Sequence, residues 1–148
     1  MDDTDKRILK KLQQNARVTL SELAGDVSLS VPAVSERLKK LEQSGVIRQY
    51  TAILNPQELG KELVAHIFLR FDTPKNSDRF AELVKNEGEV TACYYITGDF
   101  DYLIKVVTEN TTTLARLLAR IKNFPGVVKT QTIIVLSTIS EKPSILPE

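Results

Sequence analysis

The chain has 148 residues, 42% hydrophobic and 26% charged, which suits one generous or two small globular domains and excludes a disordered polymer. A single cysteine (Cys93) and a single histidine (His66) exclude a disulfide scaffold, a zinc finger and a Cys/His metal cluster. No apolar run approaches the ~20 residues needed to span a bilayer, and the polar start Met1–Arg7 does not read as a secretory signal, so a cytoplasmic chain is expected.

The net charge of +1 hides an uneven distribution. Residues 1–54 carry 9 basic and 7 acidic side chains, and within 31–54 Arg37, Lys39, Lys40 and Arg48 face only Glu36 and Glu42. A local basic patch on a neutral protein is consistent with a polyanionic partner, although a charged helix face is often simply solvated.

The first third predicts three helices. Ile8, Leu9, Leu12 and Ala16 form one apolar stripe behind an acidic start, which suits a helix N-terminus. Thr19-Leu20-Ser21-Glu22 fits a capping box, followed by Leu20, Leu23, Ala24 and Val27 at helical spacing. Ser28-Leu29-Ser30 interrupts. Ser30 then caps a third helix with Pro32 in its first turn, Val31, Val34, Leu38 and Leu41 facing inward, and Gly45 as a left-handed stop.

Two short helices about three residues apart, the second longer, make the helix-turn-helix layout. The outward face of the second helix is Pro32, Ala33, Glu36, Lys39, Lys40 and Gln43, flanked by Ser35 and Arg37. Small residues come first and cations later, as expected of a helix that enters a groove and meets phosphates further along. Val46 to Leu54, rich in β-branched and aromatic residues, predicts a strand and a possible wing. Asn55-Pro56 ends it, and a linker runs over 55–62.

The remainder shows two similar passes. Leu63 to Phe71 predicts a strand, Phe80, Leu83 and Val84 a helix ending near Gly88, and Val90 to Thr97 a second strand. Tyr102 to Val107 predicts a third strand, Leu114, Leu117, Leu118 and Ile121 a helix stopped by Pro125-Gly126, and Val127 to Ile139 a last strand. The order βαββαβ is the ferredoxin-like split βαβ, with both helices on one face of an antiparallel sheet. Because both strand faces carry apolar residues, the uncovered face should pair with another subunit. Lys142 to Glu148 reads as a tail.

Residues 3–54 resemble the DNA-binding domain of the Lrp/AsnC family, the leucine-responsive or feast/famine regulators. The resemblance rests on Asp5-Lys6-Arg7-Ile8-Leu9, Leu20-Ser21-Glu22-Leu23-Ala24, Ser35 to Glu42, and Gly45 to Ala52. Gly98-Asp99-Phe100-Asp101-Tyr102-Leu103 and Pro125-Gly126-Val127 extend it to the family's effector domain. One departure is Ser28, at a tight turn where the family usually has Gly. The resemblance implies a DNA-binding transcription regulator that dimerises through its C-terminal sheets, often assembles into octamers, and often answers to a free amino acid. It also implies a nucleoid-associated protein with double-stranded DNA as partner, no membrane, no metal and no cofactor beyond the amino acid.

The expected organisation is therefore α+β. A helix-turn-helix domain spans 1–54, a linker 55–62, and a ferredoxin-like effector and oligomerisation domain 63–148. Candidate DNA-contacting residues are Ser30, Pro32, Ala33, Ser35, Glu36, Arg37, Lys39, Lys40 and Arg48. Glu36 could accept from a cytosine amino group, and the four cations are assigned mainly to phosphates. In the loop Thr97 to Asp101, backbone N–H groups around Gly98 could hold a carboxylate, and Asp99 or Asp101 could pair with an ammonium; the bland alternative is a plain hairpin turn. The family resemblance adds Thr97, Tyr102, Thr130 and Thr132 to that site.

Cys93, Tyr94 and Tyr95 read as strand residues that pack in core or interface, and His66 as a strand residue with no nucleophile and base pair around it. No phosphate loop, nucleophile elbow or metal-ligand spacing points to an enzyme. Two other classes compete with the regulator. One is a small-molecule-binding domain whose helical head contacts only proteins, which would not need the basic cluster at 37–48. The other is an amino-acid-processing enzyme on the ferredoxin-like fold, which lacks a catalytic constellation.

Overall fold

The computed structural model describes residues 1–148, the side chains of Pro74 and Ser77 excepted. The chain divides into two compact units: Met1–Ile53 together with Ser140–Glu148, and Leu54–Ile139. The tail 140–148, assigned above to the C-terminal domain, thus groups with the N-terminal unit. There the Gln13 amide donates to the Ile145 carbonyl.

The N-terminal unit contains α1 (Asp3–Gln14), α2 (Leu20–Val27) and α3 (Val31–Gln43). Side-chain caps fix where each begins. The Asp2 carboxylate accepts from the Asp5 N–H at 2.9 Å, and Asp5 accepts in return from the Asp2 N–H at 3.1 Å. Thr19 and Glu22 exchange the same pair of bonds at the head of α2, and those donations from Thr19 hold the Glu22 carboxyl below the usual range. Ser30 accepts from the Ala33 N–H at 3.3 Å.

Between α2 and α3 the chain turns through Ser28 at φ 56°, ψ 44°, a left-handed conformation that lets the Leu29 N–H reach the Ala24 carbonyl at 3.0 Å. Ser28 is the sole non-glycine with positive φ among the described residues. The core beneath is Ile8, Leu23, Ala24, Val27 and Val34, with Leu12, Val18, Leu29 and Leu38 packed around it.

Three expectations for this unit are corrected. Val31 is 41% exposed instead of core, because it is the first residue of α3 and the inward stripe starts a turn later at the fully buried Val34. Ala16 is exposed as well, since α1 has already ended at Gln14. Residues 46–54 are not a strand: their β-branched composition favours extended chain, but no second strand lies in this unit to accept a ladder. The Ile47 N–H instead closes the end of α3 on the Leu41 carbonyl at 3.0 Å. Tyr50 donates to Glu42 at 2.9 Å, and burial, helped by that carboxylate, pushes its phenol up to about 12.

The second unit runs β1 (Leu63–Phe71), α4 (Ser77–Asn86), β2 (Val90–Tyr95), β3 (Tyr102–Thr108), α5 (Thr111–Lys122), β4 (Val127–Ile134). The strands lie in the order β2-β3-β1-β4, every neighbouring pair antiparallel. Ala65, Ile67 and Leu69 of β1 and Ile104 and Val106 of β3 point into a core closed by Phe80 and Val84 of α4 and Leu114, Leu117 and Ile121 of α5. The alternate positions Val64, Phe68, Leu103 and Val107 line the other face, half-buried, with Ile133 exposed.

The last strand stops at Ile134 rather than Ile139. Its partner β1 begins at Leu63, so the Val135 N–H to Val64 carbonyl bond (2.9 Å) is the end of what can be paired. Leu136 and Ile139 are accordingly more than nine-tenths exposed.

Candidate nucleic-acid interface and ligand loop

The core of the N-terminal unit decides what α3 offers to solvent. With Val34 and Leu41 buried and Leu38 partly so, Pro32, Ser35, Glu36, Lys39 and Lys40 are exposed on the far side, and Ala33 is half-buried at its edge. Ser30, exposed, spends its hydroxyl on the cap. Glu36 and Lys40 stand one turn apart at 3.9 Å, a solvated pair worth little in itself. Arg48 is exposed just beyond the helix.

Arg37 behaves differently. Its Nη1 donates to Asp2 Oδ2 at 2.7 Å and to Asp5 Oδ1 at 2.8 Å, tying α3 to the head of α1. Those two bonds raise the guanidinium further, while the Asp5 N–H and then Arg37 hold the Asp2 carboxyl low. Arg37 was assigned above to a phosphate; in the structure the acidic residues that cap α1 engage its Nη1, which gives it a structural role between the two helices. The sign was present in the sequence as Asp2 and Asp5, but nothing local links them to a residue more than thirty positions away.

The second candidate site is the β2–β3 hairpin loop. The Ile96 N–H reaches the Asp101 carbonyl at 2.8 Å, and the Asp101 N–H reaches the Leu69 carbonyl at 2.8 Å. Gly98 turns the tip at φ 114°, where a side chain would be strained. Thr97, Gly98 and Asp99 are exposed there. Asp101 is not: its Oδ2 accepts from the Phe71 N–H at 2.7 Å, next to the register shift at Arg70/Phe71. One oxygen of its carboxylate is engaged by the backbone, which gives Asp101 an anchoring role, and Asp99 is the exposed acid of the loop.

Aromatic rings fix the loop on both sheet faces. Tyr102 packs on the helix-covered side, its ring 5.7 Å from Phe71, 5.6 Å from Phe80 and 5.3 Å from Tyr95. Phe100 packs 5.5 Å from Phe68 with Lys129 Nζ 5.3 Å above its ring. Thr130 and Thr132 are half-buried on β4, in register with Leu69 and Ile67. One strand, β1, separates them from Tyr102, which also pairs with Leu69. Within one chain the loop tip and the two threonines are therefore not brought together. Phe100 and Lys129 were not singled out from the sequence, though an aromatic between two acids in a glycine turn marks a residue that must find cover.

Among the described residues, no group of three His, Cys, Asp or Glu side chains could hold a metal ion, and no helix is long and apolar enough to cross a membrane.

Known proteins with these features form a consistent set. A profile described as winged helix-turn-helix DNA-binding matches residues 1–48, and one described as the Lrp/AsnC ligand binding domain matches residues 62–145. The HTH-type transcriptional regulator FL11 of Pyrococcus abyssi is 40% identical over 141 residues, covering 95% of this chain and 93% of the relative. The leucine-responsive regulatory protein of Escherichia coli is 33% identical over 144 residues, covering 95% and 88%.

Solved structures agree. A Neisseria meningitidis transcriptional regulator in complex with L-methionine superposes with a TM-score of 0.92 at 33% identity, covering 98% of this chain and 96% of that one. The feast or famine regulatory protein of M. tuberculosis, also complexed with L-methionine, gives 0.90 at 33% identity, covering 99% of each.

Proposed function

This chain belongs to the Lrp/AsnC family of transcriptional regulators, and on that premise we propose that α3 enters the major groove while an amino acid bound at the 97–101 loop modulates the complex. The observation that carries the DNA side is the outward face of α3: Lys39 and Lys40 stand exposed on the side away from Val34 and Leu41, with Arg48 just beyond. Lys39, Lys40 and Arg48 meet phosphates. Ser30, Pro32, Ala33, Ser35 and Glu36 lie nearer the base edges, with Glu36 accepting from a cytosine amino group.

The ligand side rests on the exposed tip of the loop and on the methionine complexes of the two structural relatives. Backbone N–H groups around Gly98 and the Thr97 hydroxyl would hold the carboxylate, and Asp99 the ammonium. Thr130 and Thr132 face the same ligand only when a second copy supplies them or the loop, because within one chain β1 lies between. A homodimer built on the face of Val64, Phe68, Leu103 and Val107 covers the sheet, while Thr130 and Thr132, in register with the core-facing Leu69 and Ile67, lie on the opposite face and need a further copy to meet a loop. Larger assemblies up to an octamer then follow from dimers meeting at the ligand sites. The protein binds its amino acid without turning it over.

Anisotropy titration of labelled duplex DNA against salt tests the first half. A log–log slope reflecting several released counterions is expected, and absence of binding at low salt overturns it. A thermal-shift screen of the twenty amino acids, methionine included, tests the second. Methionine should raise the Tm and be recovered unchanged, and a flat response to all twenty removes the ligand reading. Light scattering should show at least a dimer at micromolar concentration.

A further inference from the structure

From Ser30 to Glu36 the chain reads Ser-Val-Pro-Ala-Val-Ser-Glu. None of these is Arg, Lys, Asn or Gln, the side chains that read guanine and adenine through paired hydrogen bonds. The Ser30 hydroxyl is engaged by the Ala33 N–H, and Val34 is fully buried. The first cation, Arg37, is held by Asp2 and Asp5. What α3 presents from its first two turns is therefore the 41% exposed Val31, the exposed Pro32 ring, the Ser35 hydroxyl and the Glu36 carboxylate. Val31 lies outside the buried core, which begins one turn later at Val34.

We propose that the first turns of α3 read thymine through its C5-methyl group, with Val31 and Pro32 as the apolar surface that the methyl packs against. Thymine is the one base of the four that puts an apolar group into the major groove. Guanine offers two acceptors there, and the Glu36 carboxylate beside this surface disfavours it while tolerating the amino group of cytosine. The inference rests on the reading of α3 as the groove-entering helix. It goes further in naming the chemical group that is recognised and the two side chains that recognise it.

Removing the methyl while leaving the base pair intact tests this directly. Random duplexes are enriched on the full-length chain, and an enriched duplex is resynthesised with deoxyuridine replacing thymidine one position at a time. At one or more positions the swap should weaken binding by about fourfold, the worth of one buried methyl. In Val31→Ala, and separately in Pro32→Ala, the swap at those positions should cost much less, with the salt slope unchanged. Both substitutions are at exposed positions that the core does not use. If enriched duplexes bind but tolerate uracil everywhere, or if the penalty persists in both variants, the thymine inference is overturned and the DNA reading stands. If no duplex is enriched, the DNA reading fails and this inference with it.

Discussion

The two surfaces that matter in this molecule, α3 and the β2–β3 loop, are held by opposite means. Helix α3 is fixed from behind by the buried Val34 and Leu41 and from the side by Arg37 on Asp2 and Asp5. Its outward side chains take no part in the core. The loop is fixed through the residues it displays: Asp101 holds the Phe71 N–H, Tyr102 packs among Phe71, Phe80 and Tyr95, and Phe100 lies on Phe68. Specificity at the helix can thus change by substitution with little cost to the fold, whereas the loop confines change to Thr97 and Asp99, since Gly98 at φ 114° is held by its backbone.

The sharpest way to break this contrast is to exchange cations on α3. Lys39→Gln with Lys40→Gln should reduce the salt slope of DNA binding by roughly one per lost phosphate contact, lowering affinity at low salt while leaving the Tm nearly unchanged. Arg37→Gln should do the reverse, leaving the slope in place and lowering the Tm of the N-terminal unit. An equal loss of slope in Arg37→Gln would mean that the guanidinium leaves its carboxylates for a phosphate.

On the loop, Asp101→Ala should cost about 1–3 kcal/mol in denaturant unfolding by orphaning the Phe71 N–H, and Asp101→Asn much less, since its amide oxygen still accepts. A ligand-induced thermal shift that survives in Asp101→Asn but disappears in Asp99→Asn would place the ammonium on Asp99. Equal effects of the two would unite anchor and ligand contact in one residue.

Smaller still, Ser28→Gly should stabilise the N-terminal unit by roughly 0.5–1 kcal/mol, because glycine occupies φ 56° without the Cβ penalty, though its unfolded chain is freer. No change in the denaturation midpoint would show that the turn carries no strain. Acid gives the mildest discrimination. Asp2 and Glu22 have carboxyls held below their ordinary values of 3.8 and 4.5, so their contribution is complete above those values and is lost as pH falls through the lower folded ones. The N-terminal unit should therefore lose stability below about pH 4, read as a falling denaturation midpoint.

How far the sequence discloses these features depends on the range of the interaction behind each. Helix starts are local: Asp2, Thr19 and Ser30 are each within three residues of what they cap, and the composition shows them. Strand β1 is legible because its alternation is imposed along its own length. What misleads is anything decided by a distant partner. Val46 to Leu54 has the composition of a strand but no neighbour in its unit, and β4 stops where β1 has no further residue to offer. Arg37 looks like its neighbouring cations until Asp2 and Asp5 arrive beside it, and Asp101 looks like any turn acid until β1 presents the Phe71 N–H. In the candidate sites the residue types were visible and their occupancy was not.

The grouping of Ser140–Glu148 with Met1–Ile53 makes the N-terminal unit discontinuous in the chain. A single proteolytic cut near Ile53 would therefore not release it whole, since one of its pieces would remain attached to the other fragment. An affinity handle fused after Glu148 would likewise hang from the DNA-reading half of the molecule.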